Sequence, residues 1–181
     1  MFPVELEWIR RFARETKAPP GKLIDLGSQS KHYRDHHCGG YDLAEIFGRE
    51  VVNVDIVPYD GVDVVADAAD IRWVFGENAM AIVVACNILQ YVRDIQKVVS
   101  SVHYVLMSGG EAIFIVPFVY NREDTYLVRT SVEDIWIKDR NRVSLEQLKD
   151  AALKAGFMVV ECGTSDPNGE TVSVYLIGRK P

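Results

Sequence analysis

The 181-residue chain has no uninterrupted apolar span near twenty residues, which argues against a transmembrane helix. Its opening run, MFPVELEWIRRFARETK, interleaves charges with apolar residues and has no uncharged core, so it does not read as a signal peptide. Cysteine is scarce. Cys38, Cys86 and Cys162 lie far apart and form no CxxC pair, which suits a reducing cytoplasm better than a disulfide framework. There is no excess of basic residues: the net charge of -6 gives no overall electrostatic reason to expect a nucleic-acid partner, although Arg140 and Arg142 leave room for a local basic strip. Internal repeats and low-complexity segments are lacking as well. The first apolar-run-to-glycine turn lacks G-x-G-x-x-G, so the pyrophosphate contacts of a nicotinamide dehydrogenase would be missing.

What is present is an ordinary globular balance, 48% hydrophobic and 25% charged, in a chain long enough to bury one substantial core. The expectation is a single cytoplasmic domain over residues 1–181, with an N-terminal helix within residues 1–20.

Periodicity gives the order of elements. Leu6, Ile9, Phe12 and Ala13 fall at helical spacing between Val4 and Lys17, and Pro19, Pro20 and Gly21 end that helix. Leu23 to Leu26 reads as a strand, and Tyr41 to Phe47 as a short helix. Val51–Val57 and Val62–Asp67 read as further strands rich in β-branched residues. Met80 to Ile88 is a near-continuous apolar run, as expected of a strand covered on both faces. From Val92 to Met107 the apolar positions form one helical face, and Gly109-Gly110 follow where a C-terminal glycine is expected. EAIFIVPFV is the next strand. A looser region spans Tyr120 to Arg142. Ser144 and Gln147 then make a capping box before LEQLKDAALKAG, and FMVVECG and TVSVYLIGR close the chain as two strands. The alternation specifies an α/β fold: a Rossmann-like, seven-stranded, mostly parallel sheet with helices on both faces. The last two strands are joined too tightly for a parallel crossover, so they should form an antiparallel pair at one edge.

In such sheets ligands bind outside the carboxyl ends of the strands. Asp25 and Gly27 lie at the end of the first strand, Asp55 at the second, Asp67 at the third and Asn87 at the fourth. A carboxylate ending the second strand is suited to accept from both hydroxyls of a ribose. Asp67-Ala68 can take an adenine amino group on the acid while a backbone N–H reaches a ring nitrogen. Each acid alone has a plain structural use as a turn or helix cap. Three acids at three successive strand ends are harder to assign to capping.

These residues carry a family resemblance. KLIDLGS, VVNVDIV, VVADAADIRW and AIVVACNILQYVRDIQKVVSSVHYVLMSGGEAIFIVPF, in this order, resemble a class I S-adenosylmethionine-dependent methyltransferase, of the small, single-domain, type 11-like kind. VLMSGGEAIFIVPF resembles the family's turn and fifth strand, and SLEQLKDAALKAGF the helix leading into the sixth. The resemblance covers residues 22 to 178. It implies that Asp25 and Gly27 flank the methionine moiety of S-adenosylmethionine, with Ser28 following in the loop. It further implies that Asp55 holds the ribose and Ile56 lies against the adenine face. Asp67 and Ala68 would read the adenine edge, and Asn87 with Ile88 would line the sulfonium end. The chain departs from the family at positions 29 and 31, where glycine is usual because close backbone approach leaves no room for a Cβ. Gln29 and Lys31 stand there. GSQSKHYR resembles a variant of this loop in which other residues are accepted.

Candidate chemistry is sparse. The loop KHYRDHHCGG holds three of the four histidines. His32 and His36 have metal-ligand spacing on a helix, but no second cluster completes a site, so no metal is expected. His32 or Tyr33 is better placed near the transferred methyl group. Relatives often carry a His after the fourth strand; Tyr91 stands at that place, and a phenol with a pKa near 10 is a poor base, so its readings are to shape the pocket, to orient an acceptor, or to pack at the start of the helix. His103 reads as a surface or packing residue, and Trp8 and Trp73 as core or rim. Tyr120, Tyr126, Trp136, Arg140 and Arg142 could wall an acceptor, with residues 120–142 as a lid on that side. The other reading of that segment is a connection with a short amphipathic helix.

The expectation is therefore in-line methyl transfer from S-adenosylmethionine to a small or medium-sized molecule, leaving S-adenosylhomocysteine. No large inserted domain offers recognition of a macromolecule, although a partner subunit or a second copy in a homodimer can supply it. No NPPY-type signature follows the fourth strand, and the acceptor atom is not readable. The alternative is a catalytically inactive methyltransferase-fold protein that binds or scaffolds, favoured by Gln29, Lys31 and the missing His.

Overall fold

The computed structural model describes residues 3–31, 41–117, 143–165 and 173–181, together with the backbone of 125–129 and 134–138. Nine strands and five helices are described: α1 Pro3–Glu15, β1 Leu23–Leu26, α2 Leu43–Phe47, β2 Val51–Asp55, β3 Val64–Val65, α3 Ile71–Phe75, β4 Met80–Cys86, α4 Ile95–Val105, β5 Leu106–Pro117, β6 Thr125–Arg129, β7 Asp134–Lys138, α5 Leu145–Ala155, β8 Met158–Ser165 and β9 Ser173–Arg179.

Seven strands make one sheet in the order β3-β2-β1-β4-β5-β9-β8. The β1–β2, β1–β4, β2–β3 and β4–β5 pairings are parallel. β9 is antiparallel to both β5 and β8. The antiparallel C-terminal pair expected at one edge is present, with a refinement: β9 is inserted between β5 and β8, so it alone runs backwards. The chain leaves β1 towards β2 on one side and towards β4 on the other. The carboxyl ends of β1 and β4 are therefore the switch point of the sheet.

Alternation along the central strands divides the core into two layers. Val83 and Ala85 of β4 and Ala112, Phe114 and Val116 of β5 face one cluster with Ile71 of α3, Val98 and Val102 of α4 and Leu148 of α5. Ile82 and Val84, Ile113 and Ile115 face the other with Trp8, Ile9 and Phe12 of α1 and Leu43 of α2. All seven residues of β4 are buried, as its continuous apolar run requires.

Several boundaries differ from the expected ones. The inner face of α1 is Glu5, Trp8, Ile9 and Phe12, not the face through Leu6 and Ala13, and it includes a fully buried acid. β2 ends at Asp55 and β3 is only two residues long, because β3 is an edge strand held by two pairings to β2. The long helix does not run to Met107, and Gly109-Gly110 do not end it. α4 is capped by Asp94, whose side chain accepts from the Lys97 N–H, and it stops at Val105 with Leu106 already extended. The glycines instead belong to a bulge in β5. Met80 pairs with Leu106 but Ile82 pairs with Glu111, so residues 107–110 are looped out. A Cβ on Gly110 would lie 2.8 Å from the Met107 carbonyl oxygen, and Gly109 has φ +76°, so both sites suit glycine.

The capping box of Ser144 and Gln147 is formed as expected, and Gly156 in left-handed conformation ends α5. Trp8 is core, stacked at 4.4 Å between ring centroids on Tyr175. Trp73 is not packed: it is 73% exposed, because α3 is little more than one turn and turns only Ile71 fully inward. His103 is a packing residue, edge-on to Phe157 at 5.0 Å, and burial lowers its pKa. Where a short amphipathic helix was one expectation for residues 120–142, the backbone forms the β6–β7 hairpin, with Leu127 opposite Trp136 and Tyr126 opposite Ile137. Tyr120, Arg140 and Arg142 lie outside the described residues. Among the described residues no helix is long and apolar enough to cross a membrane.

Candidate functional site

The turn after β1 is built by two backbone bonds and two left-handed residues. Gly27 N–H and Ser28 N–H both donate to the Val54 carbonyl of β2, at 2.8 and 3.1 Å. Gly27 has φ +79° and Gln29 φ +60°. Gln29 thus adopts the backbone conformation for which glycine is the usual residue. Its N–H donates to Asp55 Oδ2 at 3.0 Å, which gives the left-handed turn a charged anchor. Lys31 is exposed, and its N–H donates to the Asp60 carbonyl at 3.0 Å. The side chains expected to crowd this loop leave its path a glycine-like one at position 29.

Asp55 is the hub. Its Oδ2 takes the Gln29 N–H, its Oδ1 takes the Val57 N–H at 3.0 Å, and the residue is 9% exposed. The Asp55 backbone carbonyl accepts from Ala66 N–H at 2.9 Å, which ties the end of β3 to the end of β2. One residue further on, Asp67 is exposed and its Oδ1 accepts from Ala69 N–H at 2.9 Å. Ala68 is buried. Beside Asp55, Ile56 leaves 51% of its surface exposed, an apolar side chain uncovered next to a fixed acid. Tyr59 lies close enough to Asp55 that burial, and then the charge of that carboxylate, push its phenol up to about 12.

On the other side of β1, Gly27 is packed against the turn that follows β4. A Cβ on Gly27 would sit 3.0 Å from both Cβ and Cδ1 of Ile88. That turn begins at Asn87, also left-handed at φ +57°, whose N–H donates to the Ile115 carbonyl at 2.9 Å. Of the three left-handed non-glycine residues among the described ones, Gln29, Asn78 and Asn87, two therefore flank the switch point. Such conformations cost of order 1–3 kcal/mol and gather at functional sites.

The structure thus brings Ile88, Gly27, Ser28, Gln29, Asp55 and the Ala66–Asp67 segment into one run of direct contacts across the carboxyl ends of β4, β1, β2 and β3. Asp25 lies just beneath it, buried within β1 between Asn53 and Val84. Tyr91 is half-buried in the turn after β4, its N–H donating to the Ile88 carbonyl at 2.9 Å. His32 lies outside the described residues, as do Tyr33 and His36. No cluster of three or more metal-ligating side chains occurs among the described residues.

Sequence reading missed two polar residues here. Glu5 of α1 is fully buried; it accepts from Asn87 Nδ2 at 3.0 Å and from Ser173 Oγ at 2.7 Å. Gln90 is 4% exposed and its Nε2 donates to the Asn87 carbonyl at 3.0 Å. The signal for Glu5 was its place at i, i+4, i+7 with Ile9 and Phe12 on the apolar stripe.

No family model matches the sequence, and no curated protein matches it significantly. Solved structures do. A methyltransferase dependent on S-adenosylmethionine from Mesorhizobium loti superposes with TM-score 0.66 at 13% identity, over 97% of each chain. Another from Clostridium acetobutylicum gives 0.65 at 12% identity, over 96% of this chain and 89% of that one. Phosphoethanolamine N-methyltransferase 2 of Haemonchus contortus, in complex with S-adenosyl-L-methionine, gives 0.68 at 15% identity, covering 99% of this chain and 53% of that one. Sheet order, switch-point site and these superpositions agree: the chain has the class I S-adenosylmethionine-dependent methyltransferase fold.

Proposed function

We propose that the protein is an S-adenosylmethionine-dependent methyltransferase acting on a small or medium-sized acceptor by in-line methyl transfer. One observation carries this reading: the unbroken run of contacts from Ile88 through Gly27 and Gln29 to Asp55 and Ala66 across four strand ends. An elongated ligand with an amino-acid end, a ribose and a base fits such a run in that order. Asp25, Gly27 and Ser28 would hold the methionine moiety, with the Asn87 backbone and Ile88 at the sulfonium end. Asp55, oriented by two backbone N–H groups, would accept from the ribose hydroxyls. Ile56 would lie on the adenine face, with Asp67 and Ala68 at its edge. The left-handed Gln29 supports a loop rebuilt around the cofactor.

The donor supplies a methyl group already activated on sulfur. The chain's own contribution is then alignment of the acceptor and exclusion of water, with a base needed only where the acceptor must lose a proton. Tyr91 and His32 are the candidates for that side of the reaction. Three separated cysteines fit a cytoplasmic setting.

Calorimetric titration with S-adenosylhomocysteine tests the reading. Micromolar binding is expected, weakened roughly ten-fold or more in Asp55→Asn, since one charged hydrogen bond contributes about 1.5–3 kcal/mol. No binding by folded protein would turn the reading to a non-catalytic scaffold. Unchanged binding in Asp55→Asn would place the pocket elsewhere.

A further inference from the structure

Helix α1 reaches the switch point through Glu5. This residue is fully buried on the apolar stripe of α1, where an aliphatic side chain would dock the helix without the cost of burying a polar group. Each of its two oxygens takes a hydrogen bond from a residue at a strand end. Oε2 accepts from Asn87 Nδ2 at 3.0 Å, across 82 positions, and Oε1 accepts from Ser173 Oγ at 2.7 Å, across 168. Asn87 follows β4, and Ser173 opens β9 opposite Pro117, the last residue of β5. Because β5 lies between β4 and β9, Glu5 joins the strands on either side of the carboxyl end of β5.

Asn87 is the residue that this bond controls. It is left-handed at φ +57°, and three groups grip it. The Ile115 carbonyl of β5 takes its N–H at 2.9 Å, Glu5 takes its side-chain amide, and Gln90 Nε2 donates to its carbonyl at 3.0 Å. The backbone at Asn87 sets the direction in which Ile88 leaves, and Ile88 is the side chain that meets Gly27 of the β1 turn. The acid on α1 therefore acts on the end of the run where the sulfur would lie, whereas Asp55 and Asp67 stand on the far side of β1. A buried polar group kept where an apolar one would pack is best attested as a device that fixes one geometry. Resting on the methyltransferase reading, we infer that Glu5 is a positioning residue, holding the turn after β4 for the sulfur-bearing end of the cofactor. It couples the docking of α1 to occupancy of that end and not of the adenosine end. The coupling is reciprocal: what α1 contributes to ligand binding, the bound ligand returns to α1.

The test compares a ligand that reaches the turn with one that stops short of it. Full-length protein is titrated by protein-observed NMR with S-adenosylhomocysteine and, separately, with adenosine. Glu5→Met keeps the side-chain length and the apolar stripe but removes both acceptors. It should weaken S-adenosylhomocysteine by about five-fold or more and adenosine by less than about two-fold; the retained adenosine binding shows that the variant is folded. Glu5→Gln, whose amide can accept from Asn87 and donate to Ser173, should stay within about two-fold of the parent for both ligands. A third measurement needs no variant: at matched occupancy, S-adenosylhomocysteine should slow amide hydrogen exchange in α1 of the parent protein more than adenosine does. Equal weakening of both ligands by Glu5→Met, no weakening of either, failure of Glu5→Gln to restore binding, or equal protection of α1 by the two ligands overturns the proposal. So does a parent that binds S-adenosylhomocysteine but not adenosine, because the two ends of the site would not be separable. A parent that does not bind S-adenosylhomocysteine overturns the methyltransferase reading itself, and this proposal with it.

Discussion

Gly27→Ala probes the contact that joins the two halves of the candidate site. Gly27 has φ +79°, a conformation that costs a residue with a Cβ roughly 1–2 kcal/mol. The new methyl would also press to 3.0 Å against Cβ and Cδ1 of Ile88, an overpacking worth about 1–3 kcal/mol. Alanine restricts the unfolded chain and returns about 0.4–1 kcal/mol. The net destabilisation should be about 2–4 kcal/mol, short of the roughly 5–15 kcal/mol of a typical domain, so the variant still folds. Urea unfolding followed by far-ultraviolet circular dichroism measures it. The steric part is separable, because trimming Ile88 to Ala relieves the clash and leaves the φ cost. The double variant Gly27→Ala/Ile88→Ala should therefore be more stable than the sum of the singles by about 1–3 kcal/mol. Additivity within about 0.5 kcal/mol would mean that the two residues do not touch. The turn after β1 and the turn after β4 would then not form one site, and the reasoning from that contact would fail.

Gln29→Gly should bind S-adenosylhomocysteine as well as the parent or better, since glycine takes φ +60° freely, whereas the β-branched Gln29→Val should weaken it; calorimetry decides, and a tighter Val variant would refute the left-handed turn. Tyr59 has its phenol raised from 10.0 to about 12, so in the range between these values the folded state holds a proton that the unfolded chain has released. Stability carried by the neutral phenol is full below pH 10 and is lost as pH rises towards about 12. The urea midpoint of Tyr59→Phe should fall less steeply over that range than the parent's, and in Asp55→Asn the phenol should titrate lower, as read by phenolate absorbance. Glu111 is 2% exposed and holds Arg179 Nε at 2.7 Å as well as the Lys17 N–H at 3.1 Å. Arg179→Met removes the cation from that buried carboxylate, leaving it the neutral donors Thr16 Oγ1 and Lys17 N–H, and should cost about 3 kcal/mol in urea unfolding; a loss under about 1 kcal/mol would show that Arg179 does not hold it.

The sheet was readable because its signals are local. Strands covered on both faces read as apolar runs, and Met80–Cys86 is one. A short connection between the last two strands allows only an antiparallel pair, and β8 and β9 form one. The boundaries that misled are those where a tertiary contact, not the local pattern, sets the structure. Gly109-Gly110 follow a helical stripe as a helix-ending pair would, yet they are needed by a bulge whose close approach to the Met107 carbonyl and to β4 is set by the pairing of Met80 and Ile82. Trp73 reads as core or rim because tryptophan is large and apolar; a helix of five residues buries too narrow a stripe to cover it.

At the site, the acids were legible and the polar groups that orient the turns were not. Asp55 and Asp67 announce themselves at strand ends, whereas Glu5 acquires its role from residues 82 and 168 positions away, a distance no periodicity can span. Gln29 shows the converse. Reading the missing glycine as a missing pocket treats residue type as the requirement, when the requirement is the sign of φ. A left-handed glutamine costs roughly 1–2 kcal/mol. The hydrogen bond from its N–H to the Asp55 carboxylate is of the charged kind that contributes about 1.5–3 kcal/mol. The two terms are of similar size and opposite sign, so the turn can keep its glycine-like path without glycine. Its geometry then depends on the Asp55 side chain, and the residue proposed to hold the ribose also holds the loop.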